Sequence, residues 1–209
     1  KRLHTDYIDL YYQHRMDPNV EPETVAEVMA ELIKEGKIRA WGISEVTEDY
    51  LRRAHAVCPV TAIQNRYSMM ARWHESLFPL CEELNVAFVA FSPMANGLLS
   101  GKYTPATRFD KEKDYRSDMP QYTEEGYAKA EGLLHLLEEM AKEKQVTMGQ
   151  LSLAWMLNKK PYIIPIPGSR KEERLRENFG AGDIVLSAEE IAAIDAKLDT
   201  MQFDVFGGH

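Results

Sequence analysis

Five short apolar runs, each leading through turn residues into a helical stretch, constrain the fold of this chain more than any other feature of its 209 residues. The runs lie near residues 6–14, 38–44, 60–67, 86–91 and 162–166, and each reads as a strand. Between the first two, Val25, Val28, Met29, Leu32 and Ile33 recur on one face of a helix, and Gly36 follows in a left-handed cap position. A second helix starts near Thr47 with Tyr50, Leu51 and Ala54 inward, and a third runs through Leu77, Leu80, Cys81 and Leu84. After a polar segment over roughly 92–126, a helix is predicted from about 125 to 145, with Leu133, Leu134, Leu136, Leu137 and Met140 as its packing face. The capping boxes Thr147-x-x-Gln150 and Ser187-x-x-Glu190 open two more helices, and another is predicted from Ser169 to Phe179.

Such alternation means a parallel sheet with helices outside it, either a doubly wound open sheet or an eight-stranded barrel. No Gly-x-Gly-x-x-Gly follows any strand, which argues against the dinucleotide-binding open sheet. Chemistry-bearing residues gather instead at the carboxyl ends of the strands: His14, Ser44-Glu45, Gln64-Asn65, Ser92-Pro93 and Gly168-Ser169-Arg170. That end carries the active site of barrels. The expected fold class is therefore α/β, a (β/α)8 TIM barrel of which the chain supplies about the last five strand–helix units plus a C-terminal helix. The start at Lys1, directly before a strand, reads as a chain lacking its N-terminal strands. No Gly- or Ser-rich linker interrupts it, so residues 1–209 read as a single, incomplete domain.

Composition narrows the function. At 44% hydrophobic and 28% charged residues the chain can bury an ordinary core, and its net charge of −8, with acidic residues dispersed, offers no footprint for nucleic acid. Cys58 and Cys81 each sit among apolar residues and read as free thiols in a reducing compartment. No apolar run reaches the ~20 residues of a membrane span and no signal-peptide pattern opens the chain, so a cytoplasmic location is expected. His55, His74 and His135 lack metal-ligand spacing and read as surface histidines, and no metal is expected.

Two stretches carry readable chemistry. In IDLYYQHRMDP, Ile8, Leu10, Tyr12 and His14 share a face at period two, and the strand signal stops at His14. A histidine inside a strand is ordinarily a hydrogen-bonded core residue, whereas one at the strand's carboxyl end can face a ligand. In IPIPGSRKEERLREN, a buried strand ends, Gly168 turns the chain and Ser169 opens a helix whose N-terminus attracts anions. Arg170 and Arg174, four apart, share a helix face and can reach one phosphate together; the competing reading is a solvated basic turn paired with Glu172 and Glu173. The segment 92–126 reads as a functional lid or as disordered chain.

Together the YYQHR strand, the strand-end residues, the IPIPG strand and the ENFGA at 177–181 resemble the aldo-keto reductases, barrel enzymes that reduce carbonyls with NADPH, in particular their bacterial and plant branch. The resemblance implies that His14 is the catalytic histidine that orients and polarises the substrate carbonyl. Ser44 and Gln64 match positions that hydrogen-bond the nicotinamide carboxamide, while Glu45 stands where many relatives have asparagine. Phe91 falls where an aromatic ring, commonly tyrosine, stacks under the nicotinamide; its other reading is a buried strand phenylalanine. Ser92, Met94, Asn96, Gly97, Leu98 and Leu99 match the loop that folds over the pyrophosphate through backbone N–H groups, with Lys102 either adding charge or solvated. Gly168, Ser169, Arg170 and Arg174 match the binding site of the adenosine 2′-phosphate, and Glu177 and Asn178 the contacts to the adenine end.

The implied function is an NADPH-dependent oxidoreductase that reduces a small-molecule aldehyde or ketone to an alcohol. In the family the proton donor is a tyrosine, helped by a lysine and an aspartate, all on the first barrel strands. None of Tyr7, Tyr11 and Tyr12 has that context, so the chain as written is expected to show no turnover. The alternative is a nucleotide-binding regulatory subunit of the same fold, like those attached to ion channels. A third reading, a different phosphate-binding barrel enzyme, would show no protection by NADPH. Arg15 and Trp73 follow strand ends and are candidates to line a substrate pocket. The C-terminal Phe203, Phe206, Gly207, Gly208 and His209 are expected to pack across the barrel or against a neighbouring subunit, and nothing in the sequence establishes an oligomer.

Overall fold

Caps and turn residues set the element boundaries. The computed structural model describes residues 2–206, so Gly207, Gly208 and His209 lie outside the described residues. The regular elements are β1 (Ile8–Gln13), α1 (Pro22–Lys34), β2 (Ile38–Ser44), α2 (Glu48–Val57), β3 (Ala62–Arg66), α3 (Phe78–Leu84), β4 (Ala87–Phe91), α4 (Glu124–Lys144), α5 (Met148–Lys159), β5 (Ile163–Pro165), α6 (Glu172–Phe179) and α7 (Ala188–Leu198). They divide into two compact units: residues 1–66 with 74–89, and residues 67–73 with 90 onward.

In the first unit the strands follow chain order. β1 pairs parallel with β2 (Ile8 opposite Ile38, Tyr12 opposite Gly42), and β2 with β3 (Gly42 opposite Ala62, Ser44 opposite Gln64). At the start of β4, the Ala87 N–H donates to Thr61 O at 3.0 Å. Burial grows inward: β1 alternates exposed and half-buried residues, whereas Trp41, Ile43 and Ile63 are fully enclosed. Gly42 is obligatory at this contact, because a Cβ there would lie 2.6 Å from Ala62 O and 2.4 Å from a Tyr12 ring carbon. Pro22 opens α1, Gly36 follows it at φ +71°, and Thr47 caps α2 by accepting from the Tyr50 N–H. One expected inward residue is not inward: Val28 is 50% exposed, and Ala26 and Met29 form the buried part of α1.

The second unit is organised around α5. Its sequence is apolar on nearly every side, and Gly149 and Leu151 through Met156 are all buried. Trp155 stacks on Tyr67 with ring centroids 5.4 Å apart, and its indole N–H donates to Asp195 at 3.0 Å. Both capping boxes are present. Leu133 and Leu137 are buried in α4 while Leu134, Leu136 and Met140 are half-buried, the arrangement of a packing face. β5 is shorter than the apolar run predicts, three residues in place of 162–166. Proline at 165 and 167 removes ladder donors, and the Ile166 N–H reaches Ala90 O at 3.0 Å. Both cysteines are free and buried, and burial pushes the Cys81 thiol up to about 12. Among the described residues no helix is long and apolar enough to cross a membrane.

Candidate functional site

The chemistry-bearing residues fall into two groups, one in each unit. In the first unit the β2 and β3 ends hold a polar cluster. The Ser44 hydroxyl, on a residue 3% exposed, donates to Gln64 O at 3.0 Å and accepts from Arg15 Nη1 at 3.0 Å. Arg15 Nη1 also donates to His14 O at 2.7 Å. His14 stands one residue beyond β1 with an exposed side chain, so the core reading of this histidine is overturned. Tyr12 precedes it on the strand, and burial raises its phenol above the usual tyrosine range, with the Gln64 side chain nearby pulling the other way.

Glu45 takes a left-handed backbone at φ +53°, unusual for glutamate, and its carboxylate accepts the Arg66 N–H at 2.9 Å. Asn65, fully buried, accepts the Val46 N–H and donates to Val46 O, both at 3.2 Å, and lies 3.2 Å from His74 Nδ1. His74 Nε2 is 4.0 Å from Glu45. Burial lowers the imidazole pKa, against the opposing pull of the Glu45 carboxylate. His74 is thus no surface histidine, and His55 is not one either, since its Nδ1 accepts the Val60 N–H at 3.1 Å. His135 is exposed beside Glu139.

The second unit contains a cavity of about 730 Å³. Ser92, Met94, Asn96, Gly97, Gly168, Ser169, Arg170, Arg174, Glu177 and Asn178 all line it, two stretches more than 70 residues apart in sequence brought to one wall. Phe91 is half-buried and Leu98 fully enclosed, and neither is part of the lining. Six cationic side chains (Lys102, Lys113, Arg116, Arg170, Lys171, Arg174) face two anionic ones (Asp114, Glu177), a local surplus of positive charge in a chain of net −8.

Three expectations about these stretches change. The helix begins at Glu172 rather than Ser169, because the Ser169 hydroxyl accepts the Lys171 N–H at 3.1 Å and holds a turn ahead of the Lys171 cap. Arg170 therefore precedes the helix and does not share a helical face with Arg174, whose guanidinium donates to Glu177. In the loop after β4, Ser92, Ala95, Asn96 and Gly97 have φ of +52°, +48°, +58° and +106°. This tight path spends the Ala95, Gly97 and Leu99 N–H groups on Ser92 O and Met94 O, so those three do not point at a ligand. Gly97 is required because a Cβ there would lie 2.9 Å from the Tyr103 ring.

Finally, residues 92–126 are ordered by 3-10 turns over Ala95–Ser100, Tyr115–Asp118 and Pro120–Tyr122, and by a cage the sequence reading missed. Arg116 lies 4.8 Å from the Tyr103 ring and 4.5 Å from the Phe109 ring, donates to the Tyr103 hydroxyl at 2.6 Å, and pairs with Asp114 at 2.5 Å. This pairing holds the Asp114 carboxyl below its usual range. Buried Gln121 donates to Asn96 at 3.2 Å and accepts the Phe206 N–H at 3.0 Å, tying the cavity wall to the C-terminal segment. The available signal was the density of aromatic residues between Tyr103 and Tyr122, unusual for solvated chain.

A strand-end polar cluster and a cationic cavity, both in a parallel α/β frame, leave the family to be decided by comparison. The model of the Aldo/keto reductase family matches residues 1–199. The chain belongs to this family. It is 40% identical over 198 residues to the aldo-keto reductase str7 of Strobilurus tenacellus, covering 93% of this chain and 59% of that protein. A glycerol dehydrogenase from Gluconobacter oxydans superposes with a TM-score of 0.88 at 27% identity, covering 96% of this chain and 61% of that one. An aldo/keto reductase from Klebsiella pneumoniae, solved with NADP and acetate, gives 0.71 at 26% identity, covering 98% and 64%. The chain thus spans about three fifths of the length of the relatives it matches. Its fold class is the α/β barrel of these aldo-keto reductases.

Proposed function

We propose that the protein is an NADPH-dependent reductase of small-molecule aldehydes or ketones, acting in the reducing cytoplasm. The observation that carries this reading is the cationic cavity of the second unit, where the loop after β4 and the turn before α6 meet. Its volume and charge suit a phosphate-rich ligand, and the Klebsiella relative was solved with NADP. Arg170, outside the helix and exposed, is the group best able to receive a 2′-phosphate, because Arg174 is already engaged by Glu177 and Lys171 Nζ lies 3.8 Å from Glu173.

Bound NADPH supplies the hydride. In the first unit, Ser44 and Gln64 orient the nicotinamide through its carboxamide, and exposed His14 offers an imidazole N–H to the carbonyl oxygen as negative charge develops there. The proton that completes the alcohol comes from the tyrosine, lysine and aspartate that the family carries on earlier strands, so activity requires that segment. Burial makes the Tyr12 phenol a weaker acid, not a stronger one, and it does not replace them.

Titrating the full-length protein with NADPH and NADH, followed by cofactor fluorescence, tests the reading. NADPH is expected to bind more tightly, and Arg170→Ala is expected to weaken NADPH by roughly tenfold, the value of one charged hydrogen bond, with little effect on NADH. Absence of NADPH binding would remove this proposal.

A further inference from the structure

We infer that Gln121, buried and outside the cavity lining, is a positioning residue that holds the Asn96 side chain with its oxygen turned into the protein and its NH2 turned to the cavity. The inference rests on the reading of that cavity as the NADPH site. It adds which group of the loop after β4 receives an oxyanion oxygen of the ligand, and what aims that group.

The direction of the hydrogen bonds is set at one end by a group with no alternative. The Phe206 backbone N–H can only donate, so Gln121 Oε1, at 3.0 Å, accepts. The Gln121 NH2 group then faces Asn96 at 3.2 Å, with the Met119 sulfur, a weak acceptor, 3.5 Å from the same nitrogen. An amide nitrogen cannot accept, so the Asn96 atom that meets it is the oxygen. The Asn96 nitrogen is left on the other side, where it donates to the Tyr115 hydroxyl at 3.4 Å. The Tyr115 oxygen accepts there, which leaves its own proton to give.

The loop has no better donor on this path. Its Ala95, Gly97 and Leu99 N–H groups are turned onto Ser92 O and Met94 O. Asn96 and Tyr115 both line the cavity, and each keeps one hydrogen without an acceptor among the described residues. Beside a surplus of cationic side chains, two such donors suit an oxygen that only accepts, as on a phosphate. The Asn96 backbone is already fixed, at φ +58° with its carbonyl accepting from the Tyr122 hydroxyl at 3.1 Å. Gln121 removes the remaining freedom, rotation of the amide about its last bond. Without Gln121 the Asn96 oxygen can turn to the cavity and repel the same ligand.

The test is a double-mutant cycle on the full-length protein: wild type, Gln121→Met, Asn96→Gly and the two together, with NADPH dissociation constants read by cofactor fluorescence. Glycine is chosen at 96 because it accepts the left-handed backbone while removing the amide. Asn96→Gly is expected to weaken NADPH roughly tenfold, the value of a hydrogen bond to a charged group. Gln121→Met is expected to weaken it about three- to fivefold, the effect of ordering one freed side chain on binding. In the Asn96→Gly background, Gln121→Met is expected to have no further effect. An equal loss in both backgrounds would mean that Gln121 acts through packing alone, and it overturns the inference. So does an Asn96→Gly protein that binds like wild type; either result leaves the NADPH reading standing. Should Gln121→Met fail to fold, the Asn96 side-chain amide of wild type is followed by NMR, assigned by its loss in Asn96→Gly. One sharp pair of proton signals that shifts on adding NADPH is expected, and a broadened pair, or one that does not shift, overturns the inference. Failure of wild type to bind NADPH overturns both readings.

Discussion

The two units solve the problem of presenting polar groups in opposite ways. In the first, side chains at strand ends bond backbone across neighbouring strands: Ser44 to Gln64 O, Glu45 to the Arg66 N–H, and Asn65 to both backbone groups of Val46. In the second, the cavity wall is loop, held by side chains that bond one another: Arg116 with Asp114 and Tyr103, Gln121 with Asn96, Arg174 with Glu177. A polar group woven into a sheet inherits the sheet's rigidity and is costly to remove. A loop held by its own side chains can lose one of them without unfolding, and what it loses is the shape of the cavity.

The sharpest way to break this contrast is Asn65→Ala. The fully buried amide satisfies a backbone donor and a backbone acceptor, and both would be left unpaired. At about 1–3 kcal/mol for each buried group left unsatisfied, the expected loss is about 3 kcal/mol, read as a lower midpoint in urea unfolding. A loss under about 1 kcal/mol would mean that the strand ends are no more rigid than the loop.

Arg116→Ala tests the other half. The guanidinium holds two rings and a carboxylate that are themselves only partly enclosed, so global stability is expected to change by less than about 1 kcal/mol. The effect should appear in the cavity, which Arg116, Asp114 and Tyr103 line: roughly tenfold weaker NADPH binding, with faster proteolysis within residues 103–122. Arg116→Lys should not restore binding, because an ammonium cannot place a planar face on the rings while pairing with Asp114. A large drop in melting temperature with unchanged binding would reverse the assignment of roles.

The same contrast explains what the sequence made legible. Period-two runs and capping boxes depend on residues close together in the chain, so Thr147-x-x-Gln150, Ser187-x-x-Glu190 and the helix starting after Thr47 could be read directly. His14 at the end of its strand was visible for the same reason, since the apolar alternation stops there. The cage at Arg116 depends on Tyr103 and Phe109 folding back over it, a matter of loop path that no period encodes. The start of α6 was misjudged by a competition within three residues: Ser169 reads as a helix cap, yet its hydroxyl bonds Lys171 and closes a turn instead. The role of His74 was missed because a lone histidine carries no spacing signal, and its partner Asn65 is nine residues away on another element.

His74 also gives the smallest of the expected effects, one that sharpens the contrast by pH. The Asn65 amide is oriented by Val46, with its oxygen toward the Val46 N–H and its NH2 toward Val46 O, so it presents N–H to His74 Nδ1. His74 Nδ1 must then accept, which fixes the neutral tautomer with its proton on Nε2, toward Glu45. Protonating Nδ1 would set donor against donor, and burial opposes the charge as well, so the folded-state pKa lies below the ordinary 6.5. A depressed folded value means that the unfolded chain takes up the proton first. The stabilisation is complete above pH 6.5 and declines as the pH falls below it. Urea midpoints measured from pH 8 to pH 5 should therefore fall on the acid side for wild type, and His74→Gln, which has no proton to gain, should reduce that slope to the share left by His55, whose pKa burial also lowers. Arg116→Ala, altering only groups that do not titrate in this range, should leave the slope as in wild type. If His74→Gln kept the full acid slope, the proton would be taken up elsewhere, and the strand-end network would lose its claim to be the pH-sensitive half of the molecule.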